Sequence, residues 1–369
     1  MRMTIGILAN YLFREKKTGI EVYATEIVSR LLRIKEVDWR ILVGKSLLVR
    51  AKQEFPSIPS LSLSGYLPKD LLYDIPRYVA GGEFEYFFNP SQYTFRGRHQ
   101  QSAVCGFDVA WNYYPEYFPL SKRLAFDGLT RYLCRVCPRV ICISKSTIRD
   151  MVSLYGLDED KAVLAYPAFD TMLFNPQPRE ADLGVLAKFG VKGEFVLHLG
   201  TLQRRKNVEL LIDLFGRLKS NDLQLVLAGG PGWGYKEIVE KVRTSGRSNA
   251  IILTGFVSDQ EKAALYRNAS LYANLSLYEG FGIPILEAMA CGAPTLVSKK
   301  SSFPEILDSE RFSANLERPE EIVAKMEDLI IGGRPAASDI LVKKAAQFSW
   351  EKTAKTVFAT LCSLVAQNA

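Results

Sequence analysis

The chain has 369 residues, 48% of them hydrophobic and 24% charged, with a formal net charge of +7. That length is too great for one ordinary core and indicates two domains, and the composition is that of a soluble globular protein. No apolar run approaches the ~18 residues of a membrane-spanning helix. The stretch from Met1 to Leu8 is too short for a signal peptide, so the expected location is the cytoplasm.

The first series of elements alternates short apolar runs with amphipathic ones, the pattern of an α/β protein with parallel sheets. Strands are expected at Thr4–Ala9, Trp39–Val43, Tyr86–Phe88, Ser102–Gly106, Val140–Ile143 and Ala162–Ala165, with helices such as Ile20–Leu32 and Leu120–Cys137 between them. Across residues 120–149, Lys122, Arg123, Arg131, Arg135, Arg139, Lys145 and Arg149 face only Asp127. Arg131, Arg135 and Arg139 share one helix face, which fits either a solvated surface or contact with anionic lipid headgroups. Aromatic residues are not interleaved with these cations, which argues against nucleic acid. The Cys134/Cys137 pair has no second pair or neighbouring His to complete a zinc site. It reads, like Cys105, Cys142, Cys291 and Cys362, as buried reduced thiols.

Weak periodicity and the Pro and Gly residues from Pro167 to Gly193 mark a break. A second series follows: Phe195–Leu199, Asn207–Leu218, Leu223–Ala228, Gly234–Thr244, Ile251–Thr254, Ser258–Asn268, Leu271–Ala273, Pro284–Cys291 and Thr295–Val297. A last helix runs from about Trp350 to Ala366. Two such series imply two Rossmann-like domains.

Most of the chemistry lies in this second series. In Glu279-Gly280-Phe281-Gly282-Ile283-Pro284-Ile285-Leu286-Glu287, a glycine loop feeds a helix that opens near Pro284 and stops at Gly292. Unpaired N–H groups at such a helix start suit a diphosphate. Glu279 falls in the loop at the ligand, and Glu287 is able to accept the two hydroxyls of a ribose diol. Gly200-Thr201-Leu202-Gln203-Arg204-Arg205-Lys206-Asn207 places three adjacent cations after a strand, where an anion is expected, with Asn207 as an N-cap. Ala228-Gly229-Gly230 is a strand running into a glycine turn. Thr254-Gly255-Phe256-Val257 offers backbone groups to a nucleobase. No G-x-G-x-x-G follows the first strand, which disfavours a dinucleotide dehydrogenase.

Together these segments resemble the retaining glycosyltransferases of family 4, which have the GT-B fold. The two glutamates with seven residues between them, Glu279 and Glu287, are that family's signature. In the first half, Thr18-Gly19-Ile20, Asn112-Tyr113-Tyr114-Pro115-Glu116-Tyr117-Phe118 and Ile143-Ser144-Lys145-Ser146 are similar to further landmarks. The resemblance implies an α/β, GT-B protein with two Rossmann-like parallel-sheet domains facing across a cleft. These are an acceptor-binding domain over 1–175, a nucleotide-sugar donor domain over 185–345, and a C-terminal helix over 346–369 packing back across the junction.

Carried over by position, Arg205 and Lys206 hold the donor phosphates, Glu287 the ribose, and Glu279 with Gly280, Phe281, Gly282 and Ile283 the transferred sugar. Phe256 and Val257 flank the base, while Gly19, Gly200 and Gly229 bring backbone near the donor. Retention in this family is attributed to front-face attack without a protein nucleophile. The Gly-Thr-Leu…Arg-Lys-Asn form is frequent in mannose-transferring relatives, so GDP-mannose is the expected donor and a glycan or lipid-linked molecule the acceptor. No cofactor or metal is expected, since Asp158-Glu159-Asp160 sits in a charged loop away from the phosphate-binding segments. The location implied is cytoplasmic, peripheral on the inner membrane face if residues 120–149 contact lipid.

One position departs from the family pattern. Where many relatives have a His before Asp, Phe107 precedes Asp108, so that Asp108 orients the acceptor instead, other groups hold the sugar, or activity is weak. His198 falls within a strand and reads as structural, and His99 belongs to no constellation. Two other readings stay open. One is a nucleotide-sugar epimerase or sugar-phosphate synthase, for which Arg14, Lys16 and Lys17 would supply a second phosphate cluster. The other is a non-catalytic nucleotide-sugar-binding partner subunit.

Overall fold

The computed structural model describes residues 3–15, 17–95, 101–335 and 337–366; Lys16 and His99 lie outside the described residues. The chain divides into two compact units. One comprises Met1–Asn112, Pro119–Pro167 and Ser349–Ala369, the other Tyr113–Phe118 and Ala168–Phe348.

The first unit is a parallel sheet of seven strands: β1 (Thr4–Leu8), β2 (Asp38–Gly44), β3 (Ser60–Leu63), β4 (Tyr86–Asn89), β5 (Ser102–Gly106), β6 (Arg139–Cys142) and β7 (Ala162–Leu164). Their order is β3-β2-β1-β4-β5-β6-β7. Strands β4 and β5 are buried at every position, as a sheet covered on both faces requires. Helix α1 (Gly19–Leu31) starts from a capping box in which the Thr18 N–H donates to Glu21 Oε2 at 2.9 Å. Helix α2 (Leu120–Val136) exposes Leu120 and Leu124 on the face of Arg131 and Arg135, whereas Arg139, expected on that helix face, is the first residue of β6 because the helix ends at Val136. Helix α3 (Lys145–Tyr155) is capped by Ser144, which accepts from the Thr147 N–H at 2.9 Å. The last helix (Trp350–Ala366) returns to this unit. Trp350 meets Tyr23 edge-on at 5.8 Å, and Thr353 Oγ1 donates to the Tyr166 carbonyl at 2.5 Å.

The second unit repeats the plan with six parallel strands: β8 (Phe195–Leu199), β9 (Gln224–Ala228), β10 (Ile251–Gly255), β11 (Leu271–Asn274), β12 (Thr295–Ser298) and β13 (Ser313–Ala314), ordered β10-β9-β8-β11-β12-β13. Helices α4 (Val208–Phe215), α5 (Asp259–Asn268) and α6 (Ile283–Ala290) follow β8, β10 and β11. A buried ion pair joins α5 to the helix Ala181–Lys188, Arg267 donating to both Asp182 oxygens at 2.7 and 2.6 Å.

This is the doubly wound α/β pattern expected from the two series of elements. Two strands went unpredicted. Ser60–Leu63 alternates Ser with Leu at a sheet edge and has no continuous apolar run, and Ser313–Ala314 is only two residues long.

All described cysteines are free, and burial pushes the Cys134 thiol up to about 12 and the Cys137 thiol to about 11. Among the described residues no helix is long and apolar enough to cross a membrane.

Candidate active site

In an open α/β sheet the connections part to opposite faces at one pair of neighbouring strands, and the crevice beyond their carboxyl ends takes ligands. In the second unit that pair is β8 and β11. The segment carrying Arg205 and Lys206 leaves β8, and the one carrying Glu279 leaves β11.

The loop after β8 is laced to the glycine turn after β9. The Gly200 N–H donates to the Ala228 carbonyl, Leu202 N–H to Gly230 and Gly232 N–H to Leu202, all at 2.9 Å. Gly200 and Gly229 have φ of 153° and 146°, and a Cβ on Gly229 would stand 1.9 Å from the Gly200 carbonyl oxygen. Only glycine fits there.

Arg204–Lys206 then form one tight helical turn, and Asn207, left-handed at φ 56°, swings the chain into α4. Asn207 stands at the N-cap position, as expected, but makes no side-chain cap. Its amide instead donates to the Leu275 carbonyl at 3.2 Å, fastening the β8 loop to the β11 loop. The Leu277 N–H adds a second fastening to the Arg205 carbonyl at 2.9 Å.

The fastened loops converge on Glu279, whose residue surface is only 8% exposed. Arg205 donates to its Oε2 at 3.1 Å and also to the Tyr278 carbonyl, Lys206 Nζ donates to Oε1, and Ser276 Oγ lies 2.8 Å from Oε1. Burial alone would raise this carboxyl. Lys206 and Arg205 outweigh it and hold the group at about 2. Behind the carboxylate, Ser301 donates to the Glu279 carbonyl at 2.5 Å and Ser302 to the Phe281 carbonyl at 2.6 Å. Gly282, at φ 128°, leads into α6 with Pro284 in its first turn.

On α6, Glu287 is buried and accepts from the Tyr266 hydroxyl at 3.2 Å. Burial pushes its carboxyl up against the pull of Lys262, with Asp259 adding to the rise. At the end of β10, Phe256 is 60% exposed whereas Val257 is buried. The short segment Tyr113–Phe118 belongs to this unit. Tyr113 stacks on Tyr278 with ring centroids 5.2 Å apart, and the Tyr114 hydroxyl donates to the Leu277 carbonyl at 3.3 Å.

The remaining two positions, Gly19 and Asp108, lie in the first unit. Gly19 is the exposed first residue of α1. Phe107, 4% exposed, turns inward and meets Tyr23 edge-on at 5.6 Å. It offers packing where a histidine would offer a polar group. The backbone here is held by Gln92, whose Oε1 accepts from Phe107 N–H at 2.8 Å and whose Nε2 donates to the Asp108 carbonyl at 3.1 Å, and by Thr147, which donates to the Phe107 carbonyl at 2.9 Å. Asp108 Oδ1 accepts from the Ala110 N–H at 3.2 Å. Asp158 is spent locally, accepting from the Asp160 N–H at 3.1 Å.

Gln92, Tyr266, Ser276, Ser301 and Ser302 were not legible as site residues. Each acts through a partner set by the fold, and no motif carries it.

Two parallel-sheet α/β domains, with a cation-bound carboxylate at the switch point of the second, match solved glycosyltransferases of the GT-B class in fold. Residues 187–347 match the family described as glycosyl transferases group 1. The O-antigen chain mannosyltransferase B of Escherichia coli is 26% identical over 362 residues, covering 92% of this chain and 95% of that protein. The serotype-specific mannosyltransferase WbdA of Escherichia coli is 35% identical over 230 residues, which are 58% of this chain and only 27% of that protein's length. Among solved structures, Anabaena HepE in complex with UDP and glucose superposes with a TM-score of 0.74 at 18% identity, covering 98% of this chain and 100% of that one. Sucrose-phosphate synthase from Thermosynechococcus elongatus gives 0.77 at 17% identity over 99% and 100%. Those two likenesses are of fold.

Proposed function

We propose that the chain is a retaining, metal-independent mannosyltransferase that moves mannose from GDP-mannose to a glycan acceptor in polysaccharide synthesis. The observation that carries this reading is the Glu279 carboxylate held by Arg205 and Lys206 at the β8/β11 switch point. The mannosyltransferase names of the similar Escherichia coli proteins support the choice of sugar and the polysaccharide product.

In this reading the donor diphosphate takes the Arg205 and Lys206 donors, freeing Glu279 to accept from hydroxyls of the sugar. Glu287 accepts from the ribose diol, and the exposed Phe256 ring lies against the base. The bond from the sugar C1 to the phosphate oxygen breaks with its electron pair leaving on the diphosphate, where Arg205 and Lys206 stabilise the developing charge. An acceptor hydroxyl attacks from the face the diphosphate leaves and passes its proton to a departing phosphate oxygen, so configuration is retained. Two fixed cations supply the charge that a metal ion supplies elsewhere. Asp108 orients the acceptor. The exposed Leu120 and Leu124 with the cations of α2 support contact with an anionic membrane surface, where a lipid-linked acceptor would be met.

The test is a transfer assay with GDP-mannose, UDP-glucose and other nucleotide-sugars on a mannose oligosaccharide, with and without EDTA. Release of GDP and an α-linked product insensitive to EDTA is expected. A preference for another nucleotide, a β-linked product or loss of activity with EDTA would each overturn the corresponding part. Epimerised donor without acceptor extension would favour the epimerase reading.

A further inference from the structure

One buried titratable group beside this site has no task in the chemistry above. His198 is the fourth residue of β8, 1% exposed, directly ahead of the Gly200 loop. Its Nδ1 lies 3.1 Å from the Ala273 carbonyl oxygen on neighbouring β11. A carbonyl only accepts, so Nδ1 carries the proton and Nε2 presents a lone pair. That Nε2 is fully buried and has no hydrogen-bond partner among the described residues. A position serving packing alone is better filled by Leu or Val, which bury no polar atom.

The lone pair is not far from a donor. The place where a Cβ on Gly200 would stand lies 4.0 Å from His198 Nε2 and 3.9 Å from Lys206 Nζ. Imidazole and ammonium therefore both lie beside the same glycine, which has no side chain to crowd either. Burial first, and then Lys206, lower the His198 pKa to about 4, so the ring is neutral at physiological pH. It accepts without adding charge to a site already holding two cations.

We propose that His198 is a positioning residue for the transfer: its neutral Nε2 accepts a hydrogen bond from the Lys206 ammonium when Glu279 turns from Lys206 to the sugar. This rests on the assignment of Lys206 to the donor phosphates and of Glu279 to the sugar. An ammonium has three N–H donors, and in the free protein Lys206 donates to Glu279. Once Glu279 engages hydroxyls, a partner behind the lysine keeps Nζ aimed at the diphosphate.

The chain has two histidines, so nitrogen NMR of histidine-labelled protein resolves His198 directly, with His198→Gln identifying its signals. Addition of GDP-mannose to wild type is expected to shift the His198 Nε2 resonance from that of an unbonded ring nitrogen towards that of a hydrogen-bonded one. An unmoved resonance in the saturated complex overturns the proposal. Kinetics give the second readout. His198→Leu, or His198→Met should the leucine variant not fold, is expected to lower kcat/KM by about tenfold or more, the scale of one hydrogen bond to a charged group. His198→Gln should recover most of it, because its amide donates to Ala273 while its oxygen faces Lys206. In a Lys206→Met background the His198→Leu change should have no further effect. If Lys206→Met is severely impaired and His198→Leu still multiplies the loss, His198 serves the fold alone. If Lys206→Met keeps wild-type turnover, the phosphate assignment itself fails.

Discussion

Replacing Glu279 with Gln separates the carboxylate's role as counter-ion in the free protein from the role of sugar ligand proposed for it in the complex. A buried carboxyl held at about 2 instead of its ordinary 4.5 favours its charged form in the folded state by about 3 kcal/mol. The folded-state pKa is depressed, so this stabilisation is fully present above pH 4.5 and is lost as pH falls towards about 2. The variant should therefore melt about 6–12 °C below wild type at pH 7, taking about 2–4 °C per kcal/mol for a unit of this size. The gap should narrow on acidification. In the proposed reading, the same substitution removes the group that competes with phosphate for Arg205 and Lys206. GDP should then bind the variant as tightly as wild type or more tightly, while mannose transfer falls sharply. Differential scanning calorimetry across pH, titration calorimetry with GDP and the transfer assay read the three quantities. A variant that melts with wild type at pH 7, or that binds GDP more weakly, would refute the counter-ion argument.

Four further expectations follow from the geometry. Glu287→Gln should weaken GDP-mannose binding about tenfold by calorimetry, since a carboxylate acceptor for hydroxyls is lost; an unchanged dissociation constant removes the ribose role. Gly229→Ala would set a methyl against the Gly200 carbonyl, and should destabilise the protein by roughly 2–4 kcal/mol in urea unfolding; a neutral result would mean that the two loops part easily. Asp182→Ala strands buried Arg267 and should remove about 3–5 kcal/mol by the same measurement, with little change expected from Asp182→Ala if the pair is wet. Leu120→Ser/Leu124→Ser should abolish cosedimentation with anionic vesicles, binding that in wild type falls as salt rises; equal sedimentation of the variant would assign α2 a solvated face.

The fold was legible because strands buried on both faces read as nearly unbroken apolar runs, as in Val140–Cys142 and Leu225–Ala228. The exceptions, β3 and β13, lack such runs. For the site, charge and glycine content singled out Arg205, Lys206, Glu279 and Glu287. Their mutual arrangement was not legible, because it depends on contacts between residues about 70 positions apart, such as Asn207 with Leu275. Asn207 illustrates the limit well. Its position before a helix suggested a cap, whereas the folded chain spends its amide on the neighbouring loop. Likewise, neither the closeness of Gly229 to Gly200 nor the inward turn of Phe107 onto Tyr23 has a local signal.

The two units are also interlaced along the chain: residues 113–118 pack with the second, and 349–369 with the first. A ribosome therefore releases all seven strands of the first sheet long before the helix that holds Tyr23 and the Tyr166 carbonyl. Until Trp350 emerges, that apolar surface has no native cover, and the second unit must form while its neighbour is unfinished. Fragments cut at residue 168 inherit both deficits. They should be poorly soluble, and the natural boundary for expressing either half lies at no single peptide bond.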